Sequence, residues 1–566
     1  MSDIRRSILW VVFGFSLILL WDKWQVHNGR QPTFFPGAAV TEQAQASAGE
    51  APASAELPSA SSAIEGAQAA VPGADARPAT TTAQRHEVTT DVYRLVFSSE
   101  GGALVGATLL QHASGELGTP PFELLAQDAR HTYVAQTGLI GGNFPNHKTP
   151  MTLVPGPTAL ADGQDELVVR FESEDLGGVK LVKSYTLRRG SYAIDVSHEV
   201  VNTGEQPVSP QLYVQLVRDG SKGESETPFY STFTGPAVYT SAQKYQKVEF
   251  KHIDDNKADF ERTANDGYVA MVQHYFASAW LLPDGTQREN FVRKVGNLYA
   301  VGAITPLPAV APGERVRAEA RLFVGPQEEK VLERLAPGLE LVKDYGMFTI
   351  LAKPLYWLLE KIHGFVGNWG WSIVLLVLLI KAAFYWLNAS AYRSMAKMKK
   401  INPRIMEMRE RLKNNPQAMQ QEMMKIYREE KVNPLGGCLP IVIQIPVFIA
   451  LYWVLLSSVE MRNAPWVGWI TDLSSKDPYY VLPVVMTLTT LVQTALNPLP
   501  PDPVQARMMW IMPLIFSVFF FFFPAGLVLY WITNNILTIA QQAFINHRLG
   551  VPVRFTLPTE LFRNKS

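Results

Sequence analysis

Residues 366–388 read VGNWGWSIVLLVLLIKAAFYWLN. From Trp369 to Ile380 the run is apolar apart from Ser372, and then Lys381 interrupts it. Among six hydrophobic runs in the chain, Lys381 is the only Asp, Glu, Lys, Arg or His, and none of the six holds a carboxylate to neutralise it. An apolar run of this length is a candidate membrane span. A lone ammonium near mid-bilayer costs about 2.5–3.5 kcal/mol on insertion-based scales, so it is expected to face water or a transient partner. That expectation places a functional cavity inside a membrane.

Whole-chain averages conceal this. Over 566 residues, 47% hydrophobic content, 18% charged content and a net charge of +0 would suit an ordinary soluble protein. They average a polar middle with an oily C-terminal third. The single cysteine, Cys438, rules out an intrachain disulfide, and no Cys/His cluster has zinc spacing.

The pattern changes in steps along the chain. Arg5 and Arg6 precede an apolar run from Ile8 to Leu20, and the bulky or polar residues 21–28 offer no small-x-small cleavage site. Residues 1–24 therefore read as an uncleaved signal anchor with its N-terminus in the cytoplasm, rather than a secretory signal peptide. Residues 25–85 are dominated after Phe35 by Ala, Pro, Ser, Gly, Thr and Gln, the composition of a flexible tether, which holds whatever follows outside the cytoplasm. From 86 to 326 hydrophobicity alternates with period two, as in Val316–Val324 and Tyr192–Val200, which predicts a large antiparallel β-sandwich domain. Residues 327–365 read as a helical connector followed, over 344–362, by an amphipathic helix. Phe348, Leu351, Leu355, Leu358, Leu359 and Ile362 share its apolar face, with Lys343, Lys353 and Lys361 at its fringe. Such a helix lies along a lipid surface or, alternatively, packs in the core of the β domain.

Five more apolar spans are expected at 366–388, 439–457, 480–496, 508–523 and 527–545, within a second-span segment 366–390 and a four-span segment 439–546. Several fall short of the ~20 residues a standard bilayer needs, which suits a locally thinned membrane. Phe523-Pro524-Ala525-Gly526 makes a tight hairpin of the last two. Six spans return the C-terminus to the cytoplasm. Charge agrees: 391–438 carries eleven Lys or Arg against five Glu (+6), the tail 547–566 carries +3, and the loop 458–479 carries −1.

The cytoplasmic segment 391–438 reads as a helical hairpin turning at Asn414-Asn415-Pro416, with one stripe at Ile401, Ile405, Met408 and Leu412 and another at Met419, Met423 and Ile426. Seven of the chain's 16 methionines lie there, Met395, Met398 and Met424 among them. Exposed methionines suit varied apolar segments, although any one of them equally suits seam packing. The basic charge suits ribosomal RNA or anionic lipid as well as topology.

Within the spans, polar groups concentrate at Gln444, Gln493, Thr494, Thr533, Asn534, Asn535, Gln541 and Gln542, besides Lys381. Singly these are interhelical glue; together they would wet a groove. A snorkelling Lys381 with no role is the plain alternative. Enzyme signatures are absent: there is no phosphate-binding Gly-rich loop ending in Gly-Lys, no His-Glu-x-x-His and no Gly-x-Ser-x-Gly. No cofactor is implied. Intramembrane charge also marks solute transporters, but the chain has no repeated half and no coupling carboxylate. His198 and His274 leave a sugar-processing β domain as a third reading.

Several stretches carry a resemblance. Lys399-Lys400 through Tyr427, the run Glu430-Lys431-Val432-Asn433-Pro434-Leu435-Gly436-Gly437-Cys438-Leu439-Pro440, Gln444-Ile445-Pro446, Ala450-Leu451-Tyr452, Asp477-Pro478-Tyr479-Tyr480 and Phe523 through Trp531 resemble the YidC/Oxa/Alb family of membrane protein insertases, in its Gram-negative form. The resemblance runs the full chain. It implies a polytopic α-helical inner-membrane protein with six spans, five forming the core, and a periplasmic β-supersandwich. It also implies a hydrophilic, positively charged groove that receives nascent membrane proteins, alone or with the Sec translocon, from the ribosome or a targeting factor. The groove's charge in that family is usually an arginine, and the matching position is Lys381; Lys lacks the bidentate fork. Tyr530 and Trp531 match aromatics that contact inserting helices. Gln444, Gln493, Asn534 and Asn535 join Lys381 as the groove set, and Met395, Met398 and Met424 as the receiving hairpin.

Overall fold

The computed structural model describes residues 83–115, 119–221, 232–412, 415–430, 439–497 and 503–548, with Gly550 and Phe555. The expected N-terminal anchor, the tether up to residue 82, positions 432–438 of the Val432–Pro440 motif and the rest of the basic tail lie outside the described residues. Among the described residues, 83–344 form one compact unit and those from Tyr345 onward another.

The first unit is two nine-stranded sheets, antiparallel in every strand pairing. Strand Arg315–Pro326 shows why. Its outward Arg315, Arg317 and Arg321 face Glu199, Ser197 and Asp195 of strand Ala193–Asn202 at 2.9, 2.7 and 2.7 Å, while Ala320 and Leu322 turn inward beside Val196 and Ile194. Opposite-charge cross-strand pairs contribute about 0.2–1 kcal/mol each, and period-two burial fixes which face they occupy. Between the sheets, polar side chains reach backbone carbonyls of the opposing sheet: Trp280 Nε1 donates to Gln215 O at 3.0 Å, Tyr133 Oη to Met271 O at 3.1 Å and Tyr185 Oη to Gly102 O at 2.7 Å. The Gly101-Gly102 turn needs its glycines: both have positive φ, and a Cβ on Gly101 would sit 2.4 Å from His147 O.

Lys183 and His198 stand opposite each other on adjacent strands, fully buried between the sheets. Lys183 Nζ donates to Gly101 O and Thr137 O at 2.6 and 2.7 Å, and His198 Nε2 meets Thr137 Oγ1 at 2.9 Å. The two carbonyl bonds only partly replace water around the ammonium.

The second unit is helical. Its helices are α1 (Thr349–Val366), α2 (Trp369–Ala383), α3 (Tyr385–Arg411), α4 (Pro416–Glu429), α5 (Leu439–Ser457), α6 (Val481–Leu496), α7 (Pro503–Phe519) and α8 (Ala525–Arg548). The amphipathic helix expected at 344–362 starts later, at Thr349 after the short turn Gly346–Phe348, and it runs on to Val366, where Gly367 takes the left-handed conformation as its C-cap and Asn368 caps α2 by accepting from Trp371 N at 3.0 Å. Its buried Ala352, Tyr356 and Leu359 cluster with α2 and α5, which excludes the alternative of a β-domain core helix. The expected span 366–388 also differs: α2 stops at Ala383, and the chain bends by 64° into α3, one helix that continues into the hairpin. Among the described residues no single helix is long and apolar enough to cross a membrane; the bent pair Trp369–Ala383 with Tyr385–Ser394 passes that test together. Gln444–Ser457, Val481–Leu496 and Ala506–Phe519 are shorter apolar helices.

The buried pair in the sandwich predicts a pH dependence. Burial pushes Lys183 down from 10.5 to about 7, and burial with the Lys183 charge pushes His198 from 6.5 to about 3. Wherever the unfolded chain binds a proton that the folded one has released, stability rises with pH. The domain should therefore gain stability from pH about 7 towards 10.5 through Lys183, and lose it as pH falls from 6.5 towards 3 through His198. Thermal melts followed by near-UV circular dichroism should show both slopes, and Lys183→Met should abolish the alkaline one and weaken the acid one, because the Lys183 charge adds to the burial that depresses His198.

Candidate functional site

Helix α8 is the axis of the helical unit. Its polar side chains fall on two neighbouring faces set by the helical repeat. Asn534, Thr538 and Gln541, at steps of four and three, face α2, α3 and α5; Asn535 and Gln542, seven apart, face α6. On the first face Gln444 Nε2 donates to Asn534 Oδ1 at 3.1 Å, Lys381 Nζ donates to Thr538 Oγ1 at 2.9 Å, and Gln541 Nε2 donates to the Lys381 carbonyl at 3.1 Å. Thr538 passes its own hydroxyl proton to Asn534 O at 2.6 Å. On the second face Asn535 Nδ2 donates to Thr490 and Thr489 hydroxyls at 2.8 and 3.2 Å.

Lys381 does not face open water in this state. It is only 4% exposed, its bonded partner is a neutral hydroxyl, and among the described residues no carboxylate pairs with it. Of the sequence-derived groove set, Lys381, Gln444 and Asn534 share one connected stripe. Asn535 belongs to the α6 contact, and Gln493 is half-buried on α6. Tyr530 is buried, with its ring 5.8 Å from that of Phe448, and half-buried Trp531 lies edge-on to the same ring at 4.5 Å and against Phe520 at 5.3 Å.

The hairpin closes on Ile401, Ile405, Met408 and Ile426, with Met398, Met419 and Met423 packed against them. Arg404 ties the two helices through Glu429 and Glu430 at 3.0 and 3.2 Å. Met398 is therefore part of the seam, Met424 is 45% exposed, and the side chain of Met395 lies outside the described residues.

Sequence reading missed three groups. Thr538 and Asn388 went unremarked, although Thr538 follows Asn534 by one turn. Asp472 entered only the charge count of the loop, and Asp477 that count and the resemblance, yet both are buried. Asp472 gathers Asn463 N, Ser474 N and the Ser474 and Ser475 hydroxyls at 2.6–3.0 Å, and Asp477 gathers Trp469 Nε1, Tyr479 N and Leu482 N at 2.7–3.0 Å. The signal was the local pattern of Asp followed by Ser-Ser or by Pro, which favours side-chain bonds to the chain's own backbone. The loop so formed accepts Ala525 N and Gly526 N at 2.7 and 2.9 Å, satisfying the free amides that begin α8.

An antiparallel β-sandwich joined to short apolar helices that enclose a lone cation defines the class: a membrane protein with a large β domain outside the bilayer. Residues 85–358 match the family model for the YidC periplasmic domain and 361–551 that for the 60Kd inner membrane protein. A membrane protein insertase YidC from Cupriavidus taiwanensis is 56% identical over 555 residues, covering 97% of this chain and 98% of the relative; one from Burkholderia ambifaria is 54% identical over 551 residues, covering 97% and 99%. A crystal structure of an active YidC insertase with its first transmembrane domain resolved is 19% identical, covering 80% of this chain and 91% of that one at a TM-score of 0.37. The chain belongs to the YidC family of membrane protein insertases, which are not enzymes.

Packing in the helical unit turns on small residues. A Cβ on Gly370 would lie 2.2 Å from the Trp466 ring, so Gly370→Ala should displace the outer loop and lower the unfolding midpoint, with an altered tryptophan emission. Asn535→Ala should cost about 0.6 kcal/mol, the average for interhelical hydrogen bonds in membranes, and at most about 1.7 kcal/mol, and should affect all substrates alike in an insertion assay.

Proposed function

We propose that this chain inserts and helps fold inner-membrane proteins by giving a substrate's hydrophilic end a polar path part-way across the bilayer while its apolar helix moves into lipid. The observation that carries this reading is the bond from Lys381 to Thr538: a buried cation held by a neutral hydroxyl at 2.9 Å can exchange that partner for an arriving carboxylate, which binds it more strongly. The α8 stripe of Asn534, Thr538 and Gln541, with Gln444 opposite, supplies further hydrogen-bonding groups beside it. Tyr530 and Trp531 continue the same helix as an aromatic surface for the arriving segment. Burial of the substrate's apolar residues in lipid supplies the driving force, so no nucleotide or cofactor is required.

The architecture proposed for this activity has six spans, with both termini cytoplasmic, five spans in the core and the β domain periplasmic on its tether. The 16 residues of α6 extend only about 24 Å at 1.5 Å per residue. A bilayer thinned around such helices shortens the distance a polar tail must travel. The hairpin 391–438, with Met395, Met398 and Met424, receives segments from the ribosome or a targeting factor. Insertion proceeds alone or beside the Sec translocon.

Reconstitution in lipid vesicles with one small substrate carrying either an acidic or a neutral translocated tail tests the groove. Lys381→Arg should be nearly neutral, Lys381→Ala should slow the acidic tail selectively, and Lys381→Glu should be worst through repulsion and desolvation together. Equal rates for wild type and Lys381→Ala on the acidic tail would remove Lys381 from the mechanism. Removing residues 90–320 should leave most insertion intact, because the β domain is a compact unit of its own on a tether and carries no recognisable catalytic set; loss equal to that from removing 327–362 would contradict this division.

A further inference from the structure

The bend between α2 and α3 has no sequence cause of the usual kind. Positions 381–386 are Lys-Ala-Ala-Phe-Tyr-Trp, with neither Pro nor Gly, yet the axis turns by 64° at Phe384, whose φ of −89° and ψ of 9° leave the helical basin. Sharp kinks without Pro or Gly arise where a side chain or water inserts into the hydrogen-bond ladder. Here a side chain does so. Gln541 Nε2 donates to the Lys381 carbonyl at 3.1 Å, one of the last carbonyls of α2, which lack intrahelical partners. The other end of the same amide reaches across the break: Gln541 Oε1 accepts from Asn388 Nδ2, in the first turn of α3, at 3.3 Å. Asn388 is itself buried, and Phe384 N to Ile380 O at 3.0 Å is the backbone bond that closes α2.

We infer that Gln541 is a positioning residue whose single amide holds both sides of this break, fixing the seat of Lys381 beside Thr538 and the direction in which α3 carries the hairpin. Ordinary interhelical glue joins one side chain to one neighbour; this amide instead joins a backbone carbonyl before the bend to a side chain after it. Without Gln541 the Lys381 carbonyl regains the amide of Tyr385, one turn on, by straightening α2 into α3, since an unpaired carbonyl is not tolerated in an apolar surround. Straightening carries the hairpin away from the end of α8 and moves Lys381 relative to Thr538. The hairpin and the cation are then one coupled device: an arriving segment that shifts α3 pulls on the residue that seats Lys381. The link to acidic tails rests on the insertion reading above; the hinge itself does not.

The test is a distance measurement by spin labels on the full chain in lipid nanodiscs. Labels at Lys425→Cys on α4 and His547→Cys on α8, both exposed, are introduced in a Cys438→Ser background. Gln541→Met, which keeps length and loses the amide, should move the main distance and change the bent-to-straight ratio about fivefold, the effect of losing one net hydrogen bond. Asn388→Leu releases only the far arm and should broaden the distribution while leaving its maximum near the wild-type value. Insertion of acidic against neutral tails should fall selectively in Gln541→Met although Lys381 is retained. Superimposable distance distributions for both variants and the wild type would overturn the hinge. A moved distance with an unchanged acidic-to-neutral ratio would overturn its coupling to Lys381. Failure of the wild type to insert any substrate would sink the insertion reading and leave the distance result standing on its own.

Discussion

A polar group placed among apolar helices must find its partner inside the protein, because lipid offers none. Helix α8 obeys this throughout. Its opening amides bond to carbonyls of Ser475 and Leu473, its middle carries Asn534 and Thr538 to α5 and α2, and its last turns carry Gln541 and Gln542 to α2, α3 and the end of α6. Remove the polar stripe and the helices would still collapse, but their rotation and depth would be set by side-chain shape alone. The hydrogen bonds fix register where the hydrophobic effect cannot, since lipid tails are as apolar as Leu.

The two units meet the same constraint in different ways. Inside the sandwich, Trp280, Tyr133, Tyr185 and Lys183 all end on backbone carbonyls, so these large polar groups are held by fixed acceptors. In the helical unit the corresponding contacts are side chain to side chain, at Lys381–Thr538, Gln444–Asn534 and Asn388–Gln541, and side chains can rotate to new partners.

How much of this was legible in the sequence depended on whether the signal was periodic. Strand Arg315–Pro326 and the hairpin stripes at Ile401, Ile405, Met408 and Met419, Met423, Ile426 repeat every second residue or every third to fourth, and such repeats survive without tertiary information. Lys381 was legible because a charge in an apolar run has no local explanation. The bend at Phe384 was not, since Ala-Ala-Phe-Tyr continues a helix by every local rule and its cause sits at residue 541, far along the chain. Asp472 and Asp477 misled for the opposite reason: counted as charges they mark a water-facing loop, while as acceptors they build a buried one. The end of α1 at Val366 was recoverable, as Gly367-Asn368 is a C-cap followed by an N-cap.

The choice of lysine at 381 also follows from the partner set. A guanidinium presents a planar fork that is best met by two acceptors in its plane, and it holds that orientation rigidly. The stripe offers Lys381 one hydroxyl oxygen, that of Thr538, whose proton is already committed to Asn534 O. One lone pair facing one point charge is a contact an ammonium can make, leave and remake on a flexible stem, with its backbone carbonyl pinned by Gln541 as the pivot. Lysine thus suits a seat that offers one neutral acceptor, and the hydroxyl of Thr538 is the group that meets the buried ammonium there.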